Sequence, residues 1–196
     1  MNTSNTAAIV LAAGLGSRMK SNYPKVLHTI AGRAMILQLM DSLSEINPEK
    51  IVLVIGPDME PVSDAVTAAG YTVEVVIQKD RLGTGHAVKQ AEKMLLGYNG
   101  TVLVLYGDSP MITPETMADM LAARIEPSDP AVVVLGFRPF EPAAYGRLIL
   151  SHTGGLEAII EAQDASEEEL SNELCNSGVM AIDGKILFDL TAKLSN

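Results

Sequence analysis

The sequence predicts an α/β architecture: a mostly parallel sheet flanked by helices, with a small antiparallel lobe added in the second half. Three observations lead there. Short continuous apolar runs, such as Ile51-Val52-Leu53-Val54-Ile55 and Thr101-Val102-Leu103-Val104-Leu105-Tyr106, alternate with apolar stripes at helical spacing. Runs of that kind are strands buried on both faces, as strands of parallel sheets are. Further on, Arg147-Leu148-Ile149-Leu150 and Leu156-Glu157-Ala158-Ile159-Ile160 flank His152-Thr153-Gly154-Gly155, which reads as an antiparallel hairpin.

Taken in order, Ile9, Val10 and Leu11 end a first strand closed by a glycine cluster. Ile36, Met40 and Leu43, joined by Leu39 and Ile46, mark one face of a helix. The run from Ile51 is a strand stopped by Gly56-Pro57. A helix over residues 62–69 leads to a strand at Val73-Glu74-Val75-Val76-Ile77. Ala87, Ala91 and Met94, with Val88 and Leu95, give the next helical stripe, before the central strand from Thr101. Thr113 is placed to cap the following helix, and Pro114 fits its first position. The texture changes after Ala131-Val132-Val133-Val134-Leu135-Gly136, where the hairpin begins. Glu167-Glu168-Glu169 suits an exposed first helical turn better than a metal cluster, since carboxylates favour a helix amino end. Val179-Met180-Ala181-Ile182 is a late strand, and Ile186, Leu190 and Leu194 outline a closing helix.

Composition narrows the function. The 196 residues fit one domain, and 47% hydrophobic against 19% charged residues describes a globular chain. A net charge of -10 argues against nucleic acid or an anionic membrane as partner. It leaves a nucleotide possible, because Arg18, Lys20 and Lys25 are gathered in one loop. The single Cys175 permits no internal disulfide and reads as core filling in a reducing compartment. The polar start Met1-Asn2-Thr3-Ser4-Asn5-Thr6 lacks a secretory n-region, and residues 7–13 are too few to span a bilayer, so a cytoplasmic address is expected. His28, His86 and His152 share no metal-type spacing.

The chemistry concentrates in Leu11-Ala12-Ala13-Gly14-Leu15-Gly16-Ser17-Arg18-Met19, with Lys25 just beyond. Glycines let the main chain bend and expose N–H groups to an anion. Arg18 can fork two hydrogen bonds to a phosphate, and Lys25 adds a point charge. The stretch is not a P-loop, since Gly16 is not followed by the Gly-Lys-Ser/Thr pattern. It is not a dinucleotide fingerprint either, because Met19 stands where the third glycine belongs. Asp108, in Tyr106-Gly107-Asp108-Ser109-Pro110, should emerge at the carboxyl end of a central strand, where open α/β sheets bind ligands. From the residues alone it is a Mg²⁺ ligand, a cap of the turn before Pro110, or both. Gln78 can read a base edge with one donor and one acceptor, or be a solvent-facing glutamine at a strand end.

Leu11-Ala12-Ala13-Gly14-x-Gly16-x-Arg18-Met19 followed by Pro24-Lys25 resembles the signature of sugar-phosphate nucleotidyltransferases. Pro24-Lys25-Val26-Leu27-His28-x-x-Ala31-Gly32 and Leu82-Gly83-Thr84-Gly85-His86-Ala87 narrow the resemblance. It is to the uridylyltransferase domain of the bifunctional N-acetylglucosamine-1-phosphate uridyltransferase/glucosamine-1-phosphate acetyltransferase family, over nearly the whole chain. The resemblance implies a Rossmann-like nucleotidyltransferase fold over residues 1–196. It also implies uridylyl transfer from UTP to N-acetylglucosamine 1-phosphate, with Mg²⁺ as cofactor and neither nucleic acid nor membrane as partner. Arg18 and Lys25 become the catalytic cations and Asp108 the metal ligand. Leu11, Ala12, Ala13 and Gly14 would hold the nucleotide, with Gln78 and Gly83 at the uracil. Thr84, Gly146, Glu161 and Asn176 would surround the sugar. Two departures accompany it: Gln163 replaces the lysine of the family's Glu-x-Lys-Asp, and the chain stops at Leu194-Ser195-Asn196. That end precedes a second metal-binding asparagine and the trimerising acetyltransferase β-helix of the family. The expectation is an amino-terminal piece or a shortened relative, monomeric and without acetyl transfer. Two alternatives stay open: a nucleotidyltransferase for another nucleotide or acceptor, and a nucleotide-binding module without turnover.

Overall fold

A computed structural model describes residues 5–16, 19–21 and 23–194. Residues 1–4, Ser17, Arg18, Asn22, Ser195 and Asn196 lie outside the described residues, and with them the expectation for Arg18. The chain forms two compact units, Met1–Val133 with Met180–Asn196, and Val134–Val179.

In the larger unit β1 (Thr6–Leu11) is the centre of the sheet. A short hairpin of β2 (Thr29–Ile30) and β3 (Arg33–Ala34) leads into α1 (Met35–Ile46). Then come β4 (Lys50–Ile55), α2 (Glu60–Ala68), β5 (Glu74–Ile77), α3 (Thr84–Lys89), β6 (Thr101–Tyr106) and α4 (Pro114–Arg124). β4 and β6 flank β1 in parallel, β5 extends the sheet beyond β4, and residues 180–183 of a later strand run antiparallel to β6. β4 and β5 thus lie on one side of β1 and β6 on the other, so the strand order reverses between β1 and β6.

Alternation across the strands builds two buried faces. Ile9, Leu11, Val52, Val54, Val102 and Val104 pack with Ala87, Val88 and Leu95. Val10, Leu53, Ile55, Leu103 and Leu105 point the other way and are as deeply buried. The buried stripe of α1 is Ile36, Leu39, Met40, Leu43 and Ile46, the spacing read in the sequence. Each such side chain, taken out of water, is worth about 2 kcal/mol. Thr113 caps α4, its hydroxyl accepting from the Thr116 N–H at 3.2 Å, with Pro114 in the first position. One expectation shifts. The stripe from Ala87 to Leu95 is not one helix: α3 ends at Lys89 and a 3-10 turn spans Glu92–Met94, although Ala87, Val88, Ala91 and Leu95 are all buried. β5 is the edge strand of this unit, with Val75 and Ile77 exposed.

The chain passes into the smaller unit along β7 (Val132–Phe137) and returns along β10 (Cys175–Asp183). Between them β8 (Arg147–Leu150) and β9 (Leu156–Ile160) form the expected hairpin, with an irregularity at Ile149/Leu150. Its small core holds Leu148, Cys175 and Val179. α5 (Glu167–Leu170) opens on the three glutamates, secured by a capping box between Ser166 and Glu169. In the larger unit the chain closes with α6 (Leu187–Ala192). Among the described residues no helix is long and apolar enough to cross a membrane.

Candidate active site

The reversal of strand order between β1 and β6 opens a crevice at their carboxyl ends, the place where open α/β sheets take ligands. A cleft of about 250 Å³ lies there, lined by Leu11, Ala12, Ala13 and Gly14 after β1, and by Tyr106 and Asp108 from the end of β6. The same cleft receives Lys25, Gln78, Gly83 and Thr84. Neighbouring strands hold the loop ends: Ala12 N–H donates to Val54 O and Gly107 N–H to Leu11 O, at 2.8 and 2.9 Å. A Cβ on Gly14 would meet nothing within 4 Å, so its main chain faces open space.

Lys25 and Asp108 meet across the cleft, Nζ to Oδ2 at 2.5 Å, with 39% and 29% of their side chains exposed. Lys25 begins a 3-10 turn, Lys25–Leu27, whose Val26 and Leu27 are buried, so two apolar anchors fix the lysine's position. Gly16 lets it come close: at φ +61 its conformation suits glycine, and a Cβ there would stand 2.7 Å from Lys25 Cβ. Beside its bond to Lys25, the Asp108 carboxylate opens on the cleft, where it could serve a divalent cation held jointly with substrate phosphates. Among the described residues no group of three or more His, Cys, Asp or Glu could hold a metal by itself.

Gln78 follows β5 and is buried at 4% exposure, which removes the solvent-facing reading. Its Nε2 donates to Gly83 O at 3.1 Å and lies 3.2 Å from His86 Nδ1, so the two residues expected at the base are bonded to each other. Gly83 takes φ +94 as the residue before α3. Tyr106 OH approaches Thr84 Oγ1 at 3.5 Å.

Arg81 is a cleft residue that the motifs did not flag. Its Nε donates to Ala13 O at 2.8 Å, and a Cβ on Gly56 would collide with its Nη2. In a trans peptide the carbonyl and the next N–H point opposite ways. Holding Ala13 O therefore also sets the direction of the Gly14 N–H. The only signal in the sequence was a basic residue preceding Leu82-Gly83, indistinguishable there from a solvated charge.

Residues 8–174 match the model of the MobA-like NTP transferase domain. The chain belongs to this family. It is 56% identical to Bifunctional protein GlmU of Rhodospirillum rubrum over 191 residues, covering 97% of this chain and 42% of that protein. Against the same-named protein of Paramagnetospirillum magneticum the figures are 53% over 196 residues, 100% and 42%. The chain thus spans less than half the length of these relatives. A putative glucose-1-phosphate thymidylyltransferase from Bacillus anthracis superposes with a TM-score of 0.77 at 20% identity, over 97% of this chain and 76% of that one. A UDP-glucose pyrophosphorylase complexed with UDP-glucose gives 0.75 at 18%, over 97% and 80%. The fold is the Rossmann-like nucleotidyltransferase fold, and the chain is a nucleotidyltransferase domain. The family works with a divalent metal.

Three residues expected at the sugar belong to the smaller unit of this NTP transferase domain, and they gather there. Asn176 N–H donates to Gly146 O at 2.8 Å, and Glu161 Oε1 would lie 3.4 Å from a Cβ on Gly146. Asn176 Oδ1 accepts from Gly178 N–H at 2.9 Å, which leaves its amide nitrogen free of that bond. A wider hollow of about 560 Å³ sits in the larger unit at the amino ends of β1 and β6, lined by Thr6, Thr101, Arg124 and Asp183 among others. Size does not make it the site: it lies at the opposite end of the strands from the carboxyl-end crevice where open α/β sheets take ligands, and its Arg124 ties α4 to Asp183 at 2.8 Å.

Proposed function

We propose that this domain transfers a uridylyl group from UTP to N-acetylglucosamine 1-phosphate, giving UDP-N-acetylglucosamine, a cell-wall precursor, and pyrophosphate. The observation that carries the reading is the convergence of the glycine loop, Lys25, Asp108 and Gln78 on one cleft at the strand-order reversal. The glycine loop offers N–H groups to the triphosphate. A phosphate oxygen of the sugar phosphate attacks the α-phosphorus in line; its bond to that phosphorus forms as the bond to the β-phosphate oxygen breaks. The acceptor is already an anion, so it needs placement and charge neutralisation more than a general base. Lys25 stabilises the charge at the reacting phosphorus, and Arg18 is assigned to the departing phosphates. Asp108 would hold Mg²⁺, which neutralises phosphate charge when bound. Gln78 and Gly83 contact uracil, while Thr84, Gly146, Glu161 and Asn176 are assigned to the sugar. The buried free thiol of Cys175 agrees with a cytoplasmic setting.

Pyrophosphate release with Mg²⁺ and the sugar phosphate tests this. Release with UTP, and not with GTP or CTP, is expected. Release with another triphosphate only would replace the nucleotide; binding without release would make the chain a binding module. Lys25→Ala and Asp108→Ala should each lower turnover about tenfold or more. A near-normal rate in either variant removes that residue from the chemistry.

A further inference from the structure

We propose that His86 is a positioning residue: it turns the Gln78 amide so that its oxygen faces the nucleotide, and so makes the cleft select a pyrimidine whose N3 carries a hydrogen. The inference rests on the uridine reading above and adds the element that enforces it.

A glutamine amide can present either a donor or an acceptor, and a half-turn exchanges them. Uracil offers an N3–H donor and cytosine an N3 acceptor, so a site that lets the amide turn accepts both. Here the amide is held from behind. Gly83 O can only accept, so it draws Nε2. His86 Nδ1, 3.2 Å away, takes the second N–H of the same nitrogen if that ring atom is unprotonated. Both donors are then used within the protein, and Oε1, which has no partner among the described residues, is what Gln78 brings to the cleft it lines.

The ring has a competing neighbour. Gln90 Nε2 lies 3.2 Å from His86 Nε2 and also donates to His86 O at 3.0 Å. A neutral imidazole has one acceptor nitrogen, so it cannot accept from both amides. Burial decides which. Gln78 is 4% exposed, whereas Gln90 is only partly buried. An unsatisfied donor costs more at the buried site. The hydrogen therefore sits on Nε2, and Nδ1 faces Gln78.

Two measurements test this on the 196-residue chain. Long-range ¹H–¹⁵N correlation should show the Nε2–H tautomer at His86; the Nδ1–H tautomer overturns the proposal and requires no variant to fold. Titration of UTP and CTP should show the wild-type chain preferring UTP, and the preference falling about fivefold in His86→Phe, the loss of one neutral hydrogen bond. A merely structural role would weaken both nucleotides alike and leave their ratio unchanged, which also overturns it. His86→Gln, which retains an acceptor, should recover part of the ratio; no recovery beyond His86→Phe counts against the proposal. Wild-type chain with no preference for UTP defeats the uridine reading itself. Wild-type preference kept intact in His86→Phe defeats only the role of His86.

Discussion

Lys25 sits where it does because Gly16 leaves room for it, and this makes Gly16 more than a flexible link. Gly16→Ala adds a methyl 2.7 Å from Lys25 Cβ in a backbone conformation that resists it. Lys25 must shift, so turnover should fall about tenfold or more while the fold survives, read as activity against an unchanged circular dichroism spectrum. Gly56→Ala acts at one remove, since the new methyl displaces Arg81 and frees Ala13 O. Weaker UTP binding is expected, with Lys25 and Asp108 untouched; unchanged UTP affinity would show that the Arg81 contact does not order the loop. Asp108 was legible as an acid at a strand end. Its pairing with Lys25, 83 positions away, was not, because only the sheet brings those positions together.

At the scale of elements, two ion-paired clusters separate buried from exposed charge. Arg124, at the end of α4, is almost wholly buried and bonds Asp183 of β10, itself 18% exposed. Asp129, on the other side, is 81% exposed. Arg124→Met should cost about 3 kcal/mol by stranding Asp183, and Asp129→Asn less than about 1 kcal/mol, both read by urea unfolding. The second cluster joins β3 to α1. The Arg33 guanidinium hydrogen-bonds Asp41 and holds its carboxyl below the usual carboxylate range, with Tyr71 OH donating to the same carboxylate. The folded value lies below the unfolded one, so the stabilisation is complete above the ordinary carboxylate range and is lost as pH falls through the folded value. Asp41→Asn should lower the melting temperature slightly at neutral pH, and the gap from wild type should close on acidification.

The whole molecule should respond to its ligand by mass action. On the proposed uridylyl-transfer reading, UTP with Mg²⁺ at about a hundred times its dissociation constant should add about 2.7 kcal/mol to the stability of the unit that binds it. A rise in melting temperature is therefore expected in thermal unfolding, larger with UTP than with CTP at the same concentration. Equal shifts would place recognition on the phosphates alone.

The local pattern by itself determined the alternation of strands and helices, the Thr113 cap, the hairpin and the glycine loop. Periodicity and turn chemistry act over a few residues, and a reader of the chain can see them. It did not determine which strand would be an edge: Val75 and Ile77 of β5 are as apolar as the runs inside and still face solvent, because strand order is a property of the assembled sheet. Nor could it show that Gln78 is buried and pinned by Gly83 and His86, or that Arg81 holds Ala13. Those facts depend on distances between loops that meet only after β1, β4, β5 and β6 have paired, and pairing across tens of residues leaves no mark in a short stretch of sequence.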